Sequence, residues 1–396
     1  MERTGSLSLL GFLMSLPWRL QELCKMLLCH KNSLSTPEEP SSRNIRFQRP
    51  VNHFALYIKR WPDRNMGVGV GGRIWITWET QRRSLELARK FGCRLFLFDF
   101  PGKTRYFKCV WYTIATLIRE KPSIVFAQNP SMNLAFLVCL YNLLSGVPVV
   151  IDRHTTFMLG RKYKNSPSVL LFKVLHRLTI KMATLTIVTN QFLADIVEGS
   201  GGRAFVLPDK LPDLNPTEIL PLEGDKKILM ISSCAKDEPI AEVLDAIRLI
   251  DDESITLYIT GNSNKLDRNI VERAPKNVVF TGFLPEHNFI NYLFSVDCIM
   301  ALTTSEYCML CGCYEAVAVK KPLITSNKIV LVEYFSKAIF VDDSPKSIAN
   351  GINFTFSNID NIRIDIDSLG SIISNDWENR YNEIEIYIKK LEKNYH

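Results

Sequence analysis

The sequence predicts an α/β protein made of two consecutive doubly wound domains. Its 396 residues are 46% hydrophobic and 22% charged, which is a globular composition with room for two or three domains. Short apolar runs alternate with segments of helical spacing over residues 73–207 and again over 227–345. Strands that alternate with helices form parallel sheets with helices on both faces. Each series therefore predicts one such sheet.

The first series contains a strand candidate ahead of it and six strands within it, separated by amphipathic or apolar helices. Strands are predicted at 54–59, 73–78, 94–98, 123–127, 147–151, 183–189 and 204–207. Helices are predicted at 81–91, 107–119, 132–144, 169–182 and 190–198. Basic residues spaced by four, Lys173, Arg177 and Lys181, share one face of the fourth helix.

The second series repeats the alternation after a stretch that holds four prolines, residues 208–225. Strands are predicted at 227–232, 255–260, 278–280, 298–302, 322–324 and 338–341. Helices are predicted at 239–250, 286–294, 313–319, from 345 onward, and at 377–391. The proline-rich stretch predicts the domain boundary, because few regular elements cross it.

Four segments result from this pattern. Residues 1–50 form an apolar segment and linker, 51–212 the first domain, 213–374 the second domain and 375–396 a closing helix. The cleft between two doubly wound domains is the expected ligand site, since ligands bind at the carboxyl ends of parallel strands.

The N-terminal segment allows two interpretations. The apolar run 7–16 is shorter than the roughly 20 residues that span a bilayer, and Pro17 and Arg19 interrupt it. A signal peptide fits poorly, because a basic start and a small-residue cleavage site are missing. An interfacial anchor around Trp18 and a packed or frayed extension both remain open.

Charge and cysteine content suggest the partners and the compartment. Residues 1–220 hold 30 Lys and Arg against 15 Asp and Glu, while the remainder is net acidic. A basic half fits an anionic partner, such as an acidic membrane surface or a phosphorylated lipid, or is merely a solvated surface. Nucleic acid is not expected, since no nucleic-acid module is recognisable.

Ten scattered cysteines favour a reducing, cytoplasmic compartment.

The segment 281–326 resembles the retaining glycosyltransferases of group 1, which have the GT-B fold. The resemblance rests on VFTGF at 279–283, on a helix that opens with Glu315-Ala316-Val317, and on the turn and strand KKPLI at 320–324. The family implies a GT-B architecture: two Rossmann-like domains that face each other across a cleft, with a C-terminal helix that crosses back.

The resemblance implies a donor site in the second domain. Glu315 would bind the ribose, the turn at Gly282 and Phe283 the base, and the helix N-terminus the diphosphate. Glu306 stands where the family has a second glutamate, but eight residues separate it from Glu315 instead of seven. Lys236 is the nearest candidate for the family's basic phosphate ligands.

The first domain carries a weaker match in residues 128–158. Asp152-Arg153-His154 follows an apolar strand, so these residues lie at its carboxyl end, where they face the cleft. The resemblance implies that His154 contacts a sugar or acceptor hydroxyl and that Asp152 orients it. A hydrogen-bonded loop cluster is the alternative.

Two other motifs predict no further ligand. Gly67, Gly69 and Gly72 have dinucleotide spacing, but a strand-like run follows where a helix should open, so NAD binding is not expected. Cys308, Cys311 and Cys313 lack the fourth ligand of a zinc site. The sequence therefore predicts neither a metal nor another cofactor.

The expected function is a cytoplasmic, peripherally membrane-associated glycosyltransferase. It would move a sugar from a nucleotide-sugar donor to a lipid-linked or polysaccharide acceptor with retention. A nucleotide-sugar epimerase and a catalytically inactive GT-B partner subunit are the alternatives. The altered glutamate spacing and the missing basic pair are the features that support the inactive subunit as an alternative.

Overall fold

The computed structural model describes residues 71–129, 131–154 and 167–395. Within them the chain forms two six-stranded sheets, and every strand pairs in parallel with its neighbours. The strand predicted at 54–59, the N-terminal apolar segment and most of the early glycine-rich stretch lie outside the described residues.

The first sheet has the strand order β2-β1-β3-β4-β5-β6. Its strands are β1 Arg73–Thr77, β2 Arg94–Leu97, β3 Ile124–Asn129, β4 Val149–Arg153, β5 Leu185–Val188 and β6 Ala204–Val206. Its helices are α1 Arg82–Lys90, α2 Arg105–Glu120, α3 Met132–Ser145, α4 Pro167–Met182 and α5 Gln191–Gly199. All five residues of β4 are buried, as expected for a strand covered on both faces.

The second sheet has the order β12-β11-β10-β7-β8-β9. Its strands are β7 Lys226–Met230, β8 Ile255–Thr260, β9 Val278–Gly282, β10 Cys298–Ala301, β11 Leu323–Ser326 and β12 Ile339–Val341. Its helices are α6 Ile240–Leu249, α7 Arg268–Glu272, α8 Glu286–Ser295, α9 Cys311–Ala318, α10 Ile329–Tyr334 and α11 Pro345–Ser357. Residues 207–225, which connect the sheets, contain no helix or strand.

The last helix, α12, is longer than the sequence pattern predicts. It runs from Ile359 to Tyr395, 37 residues, whereas the closing helix is predicted to begin only at 375. The added residues still place apolar side chains inward, since Ile366 and Leu369 are buried. The helix continues because no proline or cap interrupts it and both of its halves find a core.

The two halves of α12 pack into different domains. Ile366, Leu369 and Ile373 join the core cluster around α9 and β10 of the second domain. Trp377 and Ile384 join the cluster formed by β1, β3 and α1 of the first domain. The predicted crossing back of the C-terminal helix is confirmed.

Polar contacts fix the first-domain end of α12. Arg73 of β1 pairs with Glu385 at 2.9 Å and with Glu392 at 2.7 Å. The indole Nε1 of Trp377 donates to the carbonyl of Pro208 at 3.0 Å. These side chains are largely shielded from solvent, so the contacts orient the helix on the sheet as well as attaching it.

None of the described helices combines the length and the apolar composition that crossing a bilayer requires.

Replacing Trp377 with alanine should destabilise the protein by about 3–5 kcal/mol, because the change opens a cavity and leaves a carbonyl unpaired. Urea unfolding measures the loss. The matched control is Ile372→Ala in the same helix, whose side chain is 56% exposed and should matter little. Equal effects of both substitutions would contradict the assigned packing.

Candidate active site

The carboxyl edges of the two sheets meet, and their loops define the candidate site. An ion pair crosses between the domains, from Arg82 at the start of α1 to Glu315 in α9, with 3.0 Å between Nη2 and Oε1. The Phe192 ring stacks on Tyr307 with the ring centroids 3.5 Å apart. Asn190 donates to the Tyr307 carbonyl at 3.3 Å. Ligands of parallel sheets bind at such edges, so the cleft between these loops is the candidate active site.

Alternation along β4 separates its last two residues. Arg153 is buried against α4, where its guanidinium lies 2.7 Å from His176 Nδ1 and 3.3 Å from the Thr179 hydroxyl. Asp152 lies on the opposite face and meets Arg83 of α1. Successive side chains of a strand point to opposite faces, which separates Arg153 from its neighbour.

Asp152 is the centre of a buried ion-pair network. Arg83 contacts both of its carboxylate oxygens, at 2.9–3.2 Å, and also pairs with Asp209 at 2.7 Å. The same guanidinium donates to the Leu207 carbonyl at 2.9 Å. Burial by itself would raise the pKa of Asp152, but the Arg83 charge outweighs it and lowers that pKa to about 2. Asp152 is therefore a permanent anion that fixes this edge of the sheet.

His154 follows directly at the edge of the same sheet. Its Nδ1 lies 3.4 Å from Asp152 Oδ2, and its side chain is 13% exposed. That nitrogen is buried and has no hydrogen-bond partner among the described residues, and the same holds for Nε2 of Gln128. Gln128 is the register neighbour of Asp152 on β3. Buried polar atoms that lack a partner are uncommon, and here two of them lie at the carboxyl edge of the first sheet.

Glu315 does not open its helix as predicted. Helix α9 begins at Cys311, so Glu315 lies in the second turn. Gly312 allows this earlier start, because a Cβ there would come within 2.9 Å of the Ala301 Cβ and 3.2 Å of Ile231. The backbone amides at a helix start lack partners within the helix, and in α9 they belong to residues that precede Glu315.

The carboxylate of Glu315 is 8% exposed, while Arg82 is 40% exposed. Burial raises the pKa of Glu315, and the Arg82 charge partly opposes that rise. The neighbouring Tyr314 is buried against Phe335. Core packing on one side of α9 therefore holds Glu315 at the cleft on the other side.

Lys236 lies in a tightly bonded loop after β7. Glu238 accepts hydrogen bonds from the backbone and hydroxyl of Ser233, and Asp237 accepts from the Ser305 hydroxyl at 3.0 Å. Lys236 itself is exposed, and no carboxylate of the described residues pairs with its ammonium. The loop therefore presents one cation on a fixed backbone.

Glu306 has a partner of its own. Its carboxylate lies 3.1 Å from the ammonium of Lys328, which also contacts Asp343 at 3.3 Å. Glu306 is 56% exposed, in contrast to the buried Glu315. Glu306 thus pairs with a lysine of the second domain, whereas Glu315 pairs with an arginine of the first domain.

Gly282 ends β9 in a left-handed conformation, with φ +73°, which favours glycine. Its carbonyl accepts from the Gly261 amide at 3.0 Å, so the ends of β8 and β9 are tied together. The next residue, Phe283, is 87% exposed. The turn therefore displays an aromatic face to solvent at the carboxyl edge of the second sheet.

Three residues of the site were missed by sequence reasoning. Arg82, Arg83 and Tyr307 have no role in the predictions, although Arg82 and Arg83 follow β1 much as His154 follows β4. Their position shortly after a strand could have identified Arg82 and Arg83 as site candidates. The sequence does not show which of them points into its own domain and which crosses the cleft, because that depends on where helix α1 begins.

Among the described residues, no three His, Cys, Asp or Glu side chains are grouped to hold a metal ion. Cys313 is buried beside the Thr325 hydroxyl at 3.3 Å.

Residues 215–363 match the family model described as glycosyl transferases group 1. The resemblance identified in the sequence is confirmed, and the matched residues span the second sheet and its helices. A comparison with curated protein sequences gave no match.

Solved structures share the fold at low sequence identity. HepE from Anabaena, solved with UDP and glucose, has a TM-score of 0.63 and 12% identity over 81% of this chain and 100% of its own. Sucrose-phosphate synthase from Thermosynechococcus elongatus has a TM-score of 0.63 and 13% identity over 81% and 99%. A glycosyltransferase from Rickettsia africae has 0.61 and 12% over 83% and 100%. The predicted two-domain GT-B fold is confirmed.

Replacing Asp152 with asparagine should destabilise the protein by about 3 kcal/mol, because it breaks a buried ion pair and leaves Asp209 as the one carboxylate that neutralises the Arg83 guanidinium. Urea unfolding at pH 7 measures this loss, and the exposed Asp225→Asn serves as the control.

The pH dependence gives a second readout of the same variant. The pKa of Asp152 is lowered to about 2 in the folded state, against about 3.9 unfolded, so its stabilisation is present above pH 4. It is lost as the pH falls from about 4 to 2. The wild type should lose more stability over that window than Asp152→Asn; parallel pH profiles would contradict the assignment.

Proposed function

We propose that this chain, whose second domain is a group 1 glycosyl transferase domain, transfers a hexosyl group from a nucleotide-sugar donor with retention at the anomeric carbon. The observation that carries the proposal is the buried carboxylate of Glu315, which faces the cleft within the matched segment and meets a cation from the other domain. A buried carboxylate at a cleft is a strong acceptor for a pair of ribose hydroxyls.

The donor would lie along the carboxyl edge of the second sheet. Glu315 accepts the ribose hydroxyls, and the free amides at the start of α9 contact the diphosphate one turn earlier. Lys236 supplies positive charge from the neighbouring loop. HepE, which shares the fold, has been solved with UDP and with UDP-glucose, and this supports a nucleotide sugar as the donor.

The base would rest against the turn that ends β9. Phe283 is exposed enough to stack on a base, and Gly282 keeps the turn tight. Glu306 would act at the sugar end of the site through its pair with Lys328. No resident metal enters this proposal, because backbone amides and cations provide the charge for the leaving diphosphate.

The acceptor would bind against the first domain. Asp152, held ionised by Arg83, lies 3.4 Å from Nδ1 of His154 and orients the ring through that nitrogen, which leaves Nε2 for a sugar or acceptor hydroxyl. The basic charge of residues 1–220 supports an anionic, lipid-linked or growing glycan acceptor at the cytoplasmic surface of a membrane. Such an enzyme would serve polysaccharide synthesis.

Closure of the cleft would protect the donor from water. The stacking of Phe192 on Tyr307 joins the domains beside the donor site, and the Arg82–Glu315 pair joins them at the ribose position. Excluding water lets transfer compete with hydrolysis.

The first test is a thermal-shift screen of the full chain with UDP, GDP, CDP and their common sugars. A ligand that binds only the folded state raises the melting temperature by mass action. We expect one nucleotide to give a shift. Glu315→Gln should weaken that nucleotide's affinity by about 10- to 100-fold, because hydrogen bonds to a charged group contribute about 1.5–3 kcal/mol.

The control for that variant is Glu272→Gln, an exposed glutamate of α7 in the same domain. An unchanged shift in Glu315→Gln would remove the ribose assignment. No shift with any nucleotide would favour the inactive partner subunit over an enzyme.

Transfer itself is tested with the radiolabelled donor that the screen identifies, incubated with membranes. Label in the organic extract or in precipitable glycan supports the proposed acceptor. Label that appears only in an epimeric or hydrolysed sugar would establish the epimerase alternative. The anomeric configuration of the product then decides whether transfer proceeds with retention.

Arg82 gives a separate prediction about pH. Burial raises the pKa of Glu315 and Arg82 restrains the rise, so Arg82→Gln should raise that pKa further. Glu315 would then become protonated at a higher pH, and nucleotide affinity should fall sooner as the pH decreases. Isothermal titration from pH 8 to pH 5 measures the shift against Arg268→Gln, an exposed control. Superimposable profiles would show that Arg82 and Glu315 are not coupled.

A further inference from the structure

One side of the first domain is unusually apolar at its surface. Helices α2, α3 and α4 cover the same side of the sheet, since α2 and α3 share a core cluster and α3 packs on α4. Helix α1 and the end of α12 share the cluster on the opposite side. We call the solvent-facing surface of α2, α3 and α4 the outer face. Large exposed apolar patches on a protein mark interaction surfaces.

The outer face carries aromatic side chains at its α2 end. Tyr106, Phe107, Trp111 and Tyr112 fall within seven residues of α2 and are 41–62% exposed. Tyrosine and tryptophan are favoured at membrane interfaces, because each has an apolar ring and a polar group.

Helix α4 contributes aliphatic side chains to the same face. Leu170, Leu171, Val174 and Leu178 are 41–65% exposed, although leucine and valine are usually buried. Helix α3 adds Leu143, which is 71% exposed, near its end. A folding core does not account for these side chains, because about two fifths or more of each remains exposed in the folded chain.

The exposed charges of the three helices are all positive. Lys108 and Arg119 lie on α2, and Lys173, Arg177 and Lys181 lie on α4.

Of these charges only that of Arg119 is offset by an acidic residue of the three helices. Helix α3 has no charged residue and α4 has no acidic one. The single acid of α2, Glu120, is buried and paired with Arg94 and Arg119. An apolar surface with interleaved basic residues is complementary to anionic lipid headgroups.

A second copy of this chain fits the outer face less well than a bilayer. In a symmetric dimer the same basic residues would meet across the interface and repel one another. Lysine is also depleted from the cores of protein interfaces. A membrane, by contrast, takes up aromatic and aliphatic side chains while its headgroups neutralise lysine and arginine.

We infer that the outer face docks the first domain on an anionic phospholipid bilayer. The inference deepens the membrane partner in the proposed function by assigning a surface to it, and it does not depend on the donor site. Tyr106 and Leu170 lie in the first turns of crossover helices, next to the carboxyl edge of the sheet. Docking there brings the cleft to the lipid surface, where a lipid-linked acceptor resides.

The test is co-sedimentation of the full chain with vesicles of phosphatidylcholine alone and with one quarter phosphatidylglycerol. Binding should require the anionic lipid and weaken with salt. Lys173→Gln with Arg177→Gln should reduce the affinity about 25-fold, at roughly fivefold for each basic residue near the surface. Phe107→Ser with Trp111→Ser should cause a similar loss.

Matched variants on the second domain control for charge and apolarity. Lys276→Gln with Lys346→Gln, and Phe354→Ser with Ile364→Ser, change exposed residues and should alter vesicle binding less than twofold. The nucleotide-induced thermal shift should survive in every variant, so a failure of docking is distinguishable from a failure of the proposed function.

Lipid contact is measured directly through Trp111. Three of the six tryptophans, Trp75, Trp78 and Trp377, are buried. Replacing Trp18 and Trp61 with phenylalanine then leaves Trp111, which is 41% exposed, as the indole that lipid can reach. Brominated lipids should quench its fluorescence, and Trp111→Phe in that background should abolish the quenching. Vesicle binding without quenching, or unchanged by the outer-face variants, would overturn the inference. A dimer in solution that these variants dissociate would overturn it too, in favour of a protein interface.

Discussion

The architecture depends on one helix that belongs to two hydrophobic cores. The first half of α12 packs in the second domain through Ile366 and Leu369, and the second half packs in the first domain through Trp377 and Ile384. A rigid helix with both ends buried limits how far the domains can separate or rotate. The loops at the carboxyl edges of the two sheets are therefore held close enough for Arg82 to reach Glu315.

Two adjacent arginines, Arg82 and Arg83, have different roles at the carboxyl edge of the first sheet. Arg83 turns into its own domain and fixes Asp152 as a permanent anion, while Arg82 crosses the cleft to a carboxylate whose pKa is raised by burial. The Arg83–Asp152 pair is shielded from solvent and stabilises the fold. The Arg82–Glu315 pair lies where a ribose is proposed to bind, so ligand binding and domain contact would share one carboxylate. The same sheet edge thus combines a buried ion pair within the first domain with an ion pair between the two domains.

Much of the fold could be predicted because strand and helix periodicities are local. The strands of both sheets, the proline-rich connection and the position of Asp152 and His154 at the carboxyl end of β4 all follow from short runs of sequence. The start of α9 could not be predicted in this way. It depends on Gly312 fitting against Ala301 on another strand, and a close approach of that kind leaves no periodic signal.

The sequence by itself determined two parallel sheets, the resemblance of the second domain to group 1 glycosyl transferases and which residues lie at the ends of the strands. The tertiary structure decided which of those residues meet. It joined Arg82 to Glu315 and Tyr307 to Phe192 and paired Glu306 with Lys328. It also gathered the exposed side chains of α2, α3 and α4 on one face. Local propensities fix the elements, whereas contacts between residues far apart in the chain depend on how helices and sheets pack.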